Sequence, residues 1–143
     1  MGKIRNILKS KNSSIIYISP QKMVYEALEL MVEKNVGAIL VMDQYKFCGI
    51  FIKPDYARKV ILKGKASKKT LVYEIMTPNP VTINPDFSVE DCMRLMTDRF
   101  IRHLPVMENN QLVGIISIGD LVKSIIEEQK FIIDNLEHYI SGT

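Results

Sequence analysis

The sequence is poor in the residues that do covalent or metal chemistry. It has two histidines, His103 and His138, and two cysteines, Cys48 and Cys92, in 143 residues. No CxxC pair and no Cys/His cluster occurs, which excludes the usual tetrahedral zinc spacings. The two thiols are expected to be reduced and mostly buried. There is no nucleophile elbow, P-loop or paired metal motif, so neither catalysis nor a metal is expected. Long apolar runs are missing too: none approaches the roughly 18 residues that cross a bilayer. The N-terminus, MGKIRNILKS, lacks the apolar stretch and small-residue cleavage site of a secretory signal. Its Met-Gly start has Asn6 where a myristoylation signal wants Ser or Thr. The expectation is a cytoplasmic protein with no membrane partner. No sign of charge dominates either. The formal net charge of +3 could help attract an anionic ligand but does not imply nucleic acid. Lys63, Lys65, Lys68 and Lys69 concentrate in KGKASKK, which reads as a solvated loop rather than a nucleic-acid face.

What the chain does have is self-similarity. Each residue from Ile16 onward can be paired with the residue 65 positions later, as Pro20 is with Pro85. Ile18 then meets Ile83, Val24 meets Val89, and Leu30-Met31 meets Leu95-Met96. Val41-Met42 meets Val106-Met107, Gly49-Ile50 meets Gly114-Ile115, and Asp55 meets Asp120. The register holds without a gap to about Leu62 and Glu127. The preceding segments, Ile4 to Leu8 and Val72 to Met76, also correspond, with the spacing changed by three residues. One unit has been duplicated: residues 1–70 read as the first copy with its linker, residues 71–143 as the second with a C-terminal helix.

Each copy reads as β-α-β-β-α. A short β-rich piece comes first, Ile15 to Ile18 and Val81 to Ile83, ended by Pro20 and Pro85. Apolar residues at i, i+3, i+4 and i+7 then predict a helix: Val24, Ala27, Leu28 and Met31, and Val89, Cys92, Met93 and Met96. Ser88 suits the N-cap of the second of these. Two apolar runs joined by a polar turn predict a hairpin in each copy, over 37–52 and 101–118. A second helix starts at Pro54 or Gly119. One copy alone would leave an apolar sheet face exposed, and two copies packed sheet to sheet would bury it.

These features resemble the CBS-domain pair, or Bateman module. The resemblance is carried by GIFIKPDYAR from Gly49 to Arg58, EIMT from Glu74 to Thr77, RHLPV from Arg102 to Val106 and GIISIGDLV from Gly114 to Val122. It covers nearly the whole chain, from about Ile4 to about Glu127. It implies a mixed α/β (α+β) fold of two β-α-β-β-α motifs in pseudo-two-fold symmetry. It also implies an adenosine ligand in clefts between the motifs, AMP first, with ATP, ADP, NADH or S-adenosylmethionine as alternatives. Such pairs resemble sensors that report ligand state to a regulated protein, and they commonly form homodimers. A structural dimerisation module with a vestigial cleft and a ligand buffer without a partner are the competing readings.

The resemblance assigns residues. Asp55 and Asp120 match the family's ribose aspartate, whose carboxylate can accept both vicinal hydroxyls; a helix N-terminal Asp complementing the dipole is the plain alternative. Ser117 matches the family's hydroxyl residue. Its counterpart Ile52 departs from Ser/Thr, and Pro54 stands where Arg is frequent, so the Asp55 site is expected to be the weaker. Around Asp120 the resemblance places Tyr17, Val36, Gly37 and Ala38 with Ser117 and Ile118; around Asp55, Met76, Thr77, Ile101 and Leu104. Core packing explains each apolar member equally well. Arg102 and His103 open a buried-looking strand that continues through Leu104 and Pro105. Charge there is costly unless paired, so one of the two is expected to meet phosphate. Lys53 and Arg58 are further candidates that a solvated helix face also explains.

The second copy's last helix is predicted to run to about Ile140. Val122, Ile125, Ile126, Ile132, Ile133, Leu136, Tyr139 and Ile140 form an apolar stripe along it. Such a stripe is a partner surface or folds back on its own domain.

Overall fold

A computed structural model of the chain describes residues 2–11 and 14–141; Met1, Asn12, Ser13, Gly142 and Thr143 lie outside that description. The first copy contains β1 (Tyr17–Ile18), α2 (Val24–Lys34), β2 (Ala38–Asp43), β3 (Lys46–Ile52) and α3 (Lys53–Tyr56), which runs on as a π-helical turn, Ala57–Ile61. The second contains α5 (Val89–Arg99), β5 (His103–Glu108), β6 (Gln111–Ser117) and α6 (Ile118–Ser141). Ahead of the first copy stands α1 (Ile4–Lys11); ahead of the second stand α4 (Val72–Ile75) and β4 (Thr77–Pro78). The fold is mixed α and β, with the extended C-terminal helix that the periodicity predicts.

The duplication extends to local chemistry. In α2 the inward positions Val24, Ala27 and Met31 are buried, and in α5 Val89, Cys92 and Met96 are their equivalents. Ser88 caps α5, its hydroxyl oxygen accepting the Asp91 N–H at 3.0 Å. Both hairpins turn on two residues; Asn109 and Asn110 both have left-handed backbone, as does Gln44 alone in the first turn, a conformation that Asn tolerates well. Each hairpin slips register at the same place, between Val41 and Met42 and between Val106 and Met107. Two predicted elements are shorter than expected, and the first, Ile15 to Ile18, is a strand only over Tyr17–Ile18. Val81 to Ile83 makes no strand; Ile83 forms a single parallel bridge to Val106. Prolines at 80 and 85 remove the donors a longer ladder needs.

The chain packs into two compact units that cut across the sequence halves. Residues 14–81 form one; residues 2–11 with 82–141 form the other. The leading segment of each copy therefore packs on the body of the other, and the backbone bonds that hold it repeat. Val72 N–H bonds Lys22 O at 2.8 Å, as Ile4 N–H bonds Phe87 O at 2.9 Å. Tyr73 N–H bonds Pro20 O at 3.0 Å, as Arg5 N–H bonds Pro85 O at 2.9 Å. Val24 N–H bonds Thr70 O at 2.8 Å, as Val89 N–H bonds Gly2 O at 3.0 Å. Val72 and Ile4, both fully buried, supply the apolar anchor. Arg5 adds an ion pair to Glu108 at 2.6 Å.

The leading segments then diverge. After α4 the chain extends as β4 and pairs with β3, Gly49 opposite Pro78 and Ile50 opposite Thr77, giving a four-stranded sheet in the order β1-β2-β3-β4. In the other unit α1 stays helical to Lys11, and β5-β6 remain a two-stranded sheet. Lys11 Nζ donates to the Ile115 carbonyl on the β6 edge at 2.9 Å; Ile115 is the repeat equivalent of Ile50. An ammonium thus meets a sheet-edge acceptor at the position where, in the other unit, a strand pairs.

Candidate functional site

The two repeat aspartates open their helices in the same way. Asp55 Oδ2 accepts the Ile52 N–H at 3.1 Å, and Asp120 Oδ2 accepts the Ser117 N–H at 2.9 Å. Both complete a turn three residues back, the geometry of a helix cap. Ser117 returns the bond, its hydroxyl oxygen accepting the Asp120 N–H at 3.1 Å. Ile52 has no oxygen with which to do so.

Beyond the cap the environments part. Asp55 is buried, its side chain 5% exposed, and both oxygens are engaged. Lys59 Nζ lies 3.2 Å from Oδ1, and the Thr77 hydroxyl donates to Oδ1 at 3.3 Å. Lys59 also donates to the Ile75 carbonyl at 3.1 Å. The Asp120 side chain is 21% exposed and takes its bonds on one oxygen. Lys11 Nζ donates to Oδ2 at 2.9 Å; Oδ1 accepts no hydrogen bond among the described residues. Burial disfavours the charged Asp120 carboxylate, but the Ser117 amide and the Lys11 ammonium outweigh it and hold the group below its ordinary value. His103, paired with Ser117 across the β5-β6 ladder, is held below the usual imidazole value. Burial is the main cause, partly offset by Asp120 and reinforced by Lys11 and Arg102.

Asp120 borders a hollow of about 180 Å³ between α1 and the start of α6. Lys3, Asn6, Ser10, Lys11, Lys123, Ser124 and Glu127 line it with Asp120, three cations against two carboxylates. Lys3 and Lys123 pair with no carboxylate among the described residues. A wider hollow of about 550 Å³ lies along α2, lined by Tyr25, Leu28, Glu29, Val32, Glu33, Tyr56 and Ser67. Its lining has two carboxylates and no cation, which does not suit an anion.

The other sequence-predicted residues divide between the units. Ile52, Lys53, Asp55, Arg58, Met76 and Thr77 fall in the 14–81 unit, with Tyr17, Val36, Gly37 and Ala38. There Ala38 pairs with Ile52, and the Lys53 N–H reaches the Gly37 carbonyl at 3.4 Å. Thr77 meets Asp55 directly. Ile101, Arg102, His103, Leu104, Pro105, Ser117, Ile118 and Asp120 fall in the other unit. There the Ile118 N–H bonds the Arg102 carbonyl at 2.9 Å. Leu104 is fully buried, and Ala38 and Met76 nearly so, as core residues are. Arg102 is exposed, as are Lys53 and Arg58. The strand begins one residue later, at His103, so no burial cost singles Arg102 out. Lys11, Lys59 and the lysines of the smaller hollow are the residues that sequence reasoning missed. Lys59 stands four residues after Asp55 on one helix, a spacing that signals an ion pair. Lys11 is 109 positions from Asp120 and carries no such signal.

Among the described residues no cluster of His, Cys, Asp or Glu could hold a metal, and no helix is long and apolar enough to cross a membrane. Both cysteines are free; burial, and then Asp91, pushes the Cys92 thiol up to about 11.

Comparison with known proteins gives a consistent result. The family model for the CBS domain matches twice, over residues 4–60 and 72–127. The mitochondrial CBS domain-containing protein CBSX3 of Arabidopsis thaliana is 36% identical over 97% of this chain and 72% of its own length. A solved CBS-domain protein from Burkholderia ambifaria superposes with a TM-score of 0.85 at 44% identity, covering 90% of this chain and 96% of that one. The CBS domain pair of protein MJ0100, solved with 5-methylthioadenosine and S-adenosyl-L-methionine, has a TM-score of 0.77 at 23% identity over 90% of this chain and 98% of its own; it shows the fold. The duplicated unit, its paired aspartates and these matches agree: the chain belongs to the CBS-domain family, as a CBS domain pair, a regulatory module.

Proposed function

We propose that the chain is an adenosine-nucleotide sensor, without chemistry of its own, that holds its ligand at Asp120. The observation that carries this is the difference between the two aspartates. Asp55 has both oxygens engaged and almost no exposure. Asp120 has one oxygen that accepts no hydrogen bond among the described residues, and it borders a hollow lined by three lysines and Glu127. A ribose hydroxyl donates to Oδ1 in a charge-assisted bond, and the ammonium groups receive phosphate. At about 180 Å³ the hollow is smaller than the roughly 300 Å³ of a complete small-molecule pocket. It therefore accommodates the ribose-phosphate end, with the purine outside it. Lysines favour AMP, ADP, ATP or NADH over S-adenosylmethionine, whose sulfonium is cationic. AMP fits the small volume best. The MJ0100 pair, solved with two adenosine compounds, supports the ligand class. A sensor also needs something to inform, here a regulated protein or another copy of the chain in a homodimer, acting in the cytoplasm. The ligand must then bind two states of that assembly unequally.

Titration calorimetry with AMP tests the reading. Wild type should bind, and Asp120→Ala should bind at least about tenfold more weakly, the loss of ~1.4 kcal/mol, while keeping its circular dichroism. Equal affinity in the two proteins would remove the site. One observation favours a second reading, a structural module with a closed cleft: Lys11 already satisfies Asp120 Oδ2. A thermal-shift series with AMP, ADP, ATP, NADH and S-adenosylmethionine separates the two, since a ligand that binds only the folded state raises its apparent stability.

A further inference from the structure

Each repeat aspartate is met by the leading segment of the other copy, but the two contacts are fastened differently. Thr77 reaches Asp55 from β4, which the Gly49–Pro78 and Ile50–Thr77 pairings hold against β3. Lys11 reaches Asp120 from the last residue of α1, and no strand of α1's unit stands behind it among the described residues. The same ammonium donates to the Ile115 carbonyl at 2.9 Å and to Asp120 Oδ2 at 2.9 Å. A single side chain thus joins the end of α1, the edge of β6 and the cap of α6.

Little else holds that end of α1. Its backbone bonds to the Phe87 and Pro85 carbonyls leave from Ile4 and Arg5, and the ion pair to Glu108 also starts at Arg5. Ile4 is its one buried residue. Beyond Leu8, which lies over Gly114, the helix has no apolar side chain. The Ser10 hydroxyl donates back to the Asn6 carbonyl at 3.1 Å and adds nothing to the docking. At eight residues α1 is shorter than the roughly 12 to 15 at which an isolated helix is marginal, so its last turn depends on what it touches.

We infer that Lys11 is a clasp that a ligand at Asp120 opens: the ammonium leaves the Ile115 carbonyl for the ligand's phosphate, and the end of α1 comes away from the β6 edge. The inference rests on the nucleotide reading and adds how that site reports its state. A carboxylate needs both oxygens to take both ribose hydroxyls, and Oδ2 already accepts N–H groups from Ser117 and Lys11. The Ser117 amide is fixed in the cap. The lysine, a point charge on a flexible stem, is the donor that can leave. A phosphate monoester carries about two negative charges near pH 7, against which a neutral carbonyl does not compete for an ammonium. The corresponding shift is barred in the 14–81 unit, where backbone pairing holds Thr77 in place.

Backbone amide NMR of the full chain reads the clasp at Ile116. Its nitrogen shares a peptide unit with the Ile115 carbonyl, and resonance passes on the loss of a donor to that oxygen. Without AMP, Lys11→Met should displace the Ile116 signal, with unchanged β2 and β3 amides showing that the variant is folded. Saturating AMP should displace the signal in the same direction in wild type and leave it in place in Lys11→Met, with binding to each protein followed by calorimetry. AMP-bound wild type with Ile116 at its free position, or an AMP-induced displacement that persists in Lys11→Met, overturns the clasp and leaves the nucleotide site standing. A ligand-free Lys11→Met that matches wild type at Ile116 overturns it too, whatever AMP does. AMP that binds neither protein overturns the nucleotide reading, and the opening of the clasp with it.

Discussion

The two units of the molecule start from the same repeat and put the same aspartate to different use. In residues 14–81 the leading segment turns into a strand, and its Thr77 hydroxyl joins Lys59 in engaging Asp55. In the other unit the leading segment stays helical, and Lys11 reaches both the sheet edge and one oxygen of Asp120. The first arrangement completes a core; the second leaves an acceptor and a cationic hollow at the surface. A duplicated fold can thus keep register, caps and hairpins while the segment preceding each copy decides which site is open.

The largest test of that difference is steric. A Cβ at Gly49 would stand 2.5 Å from the Thr77 carbonyl oxygen, a backbone atom of β4. At the equivalent Gly114 it would stand 2.7 Å from Leu8 Cδ2, the tip of a flexible side chain. Gly49→Ala should therefore displace a strand and cost about 2–3 kcal/mol, the upper part of the overpacking range, while Gly114→Ala should cost about 1 kcal/mol. Urea midpoints at unchanged m-value measure both. Equal costs would mean that β4 is no more firmly held than α1.

Next comes the exchange of roles between the aspartates. Asp55→Ala should cost on the order of 1–3 kcal/mol, because a buried cap acceptor and the partner of Thr77 and Lys59 are lost, and leave AMP affinity unchanged. Asp120→Ala should cost only about 1 kcal/mol as a cap yet lose the ligand. Should Asp55→Ala instead weaken AMP binding and Asp120→Ala spare it, the assignment of open and closed sites is reversed.

Much of this architecture is legible in the sequence, because it is local or periodic. The offset of 65 predicts the equivalence of Asp55 with Asp120, and the apolar spacing predicts α2, α5 and the length of α6. Ser88 announces its own helix. What is not legible depends on contacts between distant segments. Nothing in IRNILKSK says that it packs on the other copy, since an apolar anchor such as Ile4 does not name its partner. The three-residue change in spacing marks where the copies diverge but not that one side stays helical. Arg102 looks buried only because the following residues are apolar; the strand begins after it.

Lys11 gives a smaller and more specific test. If its ammonium moves from Asp120 to a ligand phosphate, Lys11→Met should lower AMP affinity several-fold, of order 1 kcal/mol for a charge-assisted bond at a partly exposed site. Adenosine, which has no phosphate, should bind the variant at least as well as wild type, because Asp120 Oδ2 is released. Parallel titrations with the two compounds check this, and a loss of equal size for both would make Lys11 a structural residue only.

The smallest effect separates the units by pH. Both histidines of the chain lie outside residues 14–81. Burial holds His103 below 6.5, with Lys11 and Arg102 reinforcing and Asp120 opposing. The folded protein then takes up this proton less readily than the unfolded chain. The stability tied to neutral His103 is accordingly present above 6.5 and is lost as pH falls through the folded value. Asp120, held below 3.8, adds a second loss of the same sign, which develops from about pH 5 downward as the pH falls through its folded value. Amide hydrogen exchange should therefore weaken first around β5 and β6 as pH drops from 7 to 5, with β2 and β3 still protected. His103→Gln should abolish that early weakening and keep the later one. If β2 and β3 lose protection at the same pH as β5 and β6, or if the variant follows wild type throughout, the acid response belongs to the whole fold and not to the unit that carries Asp120.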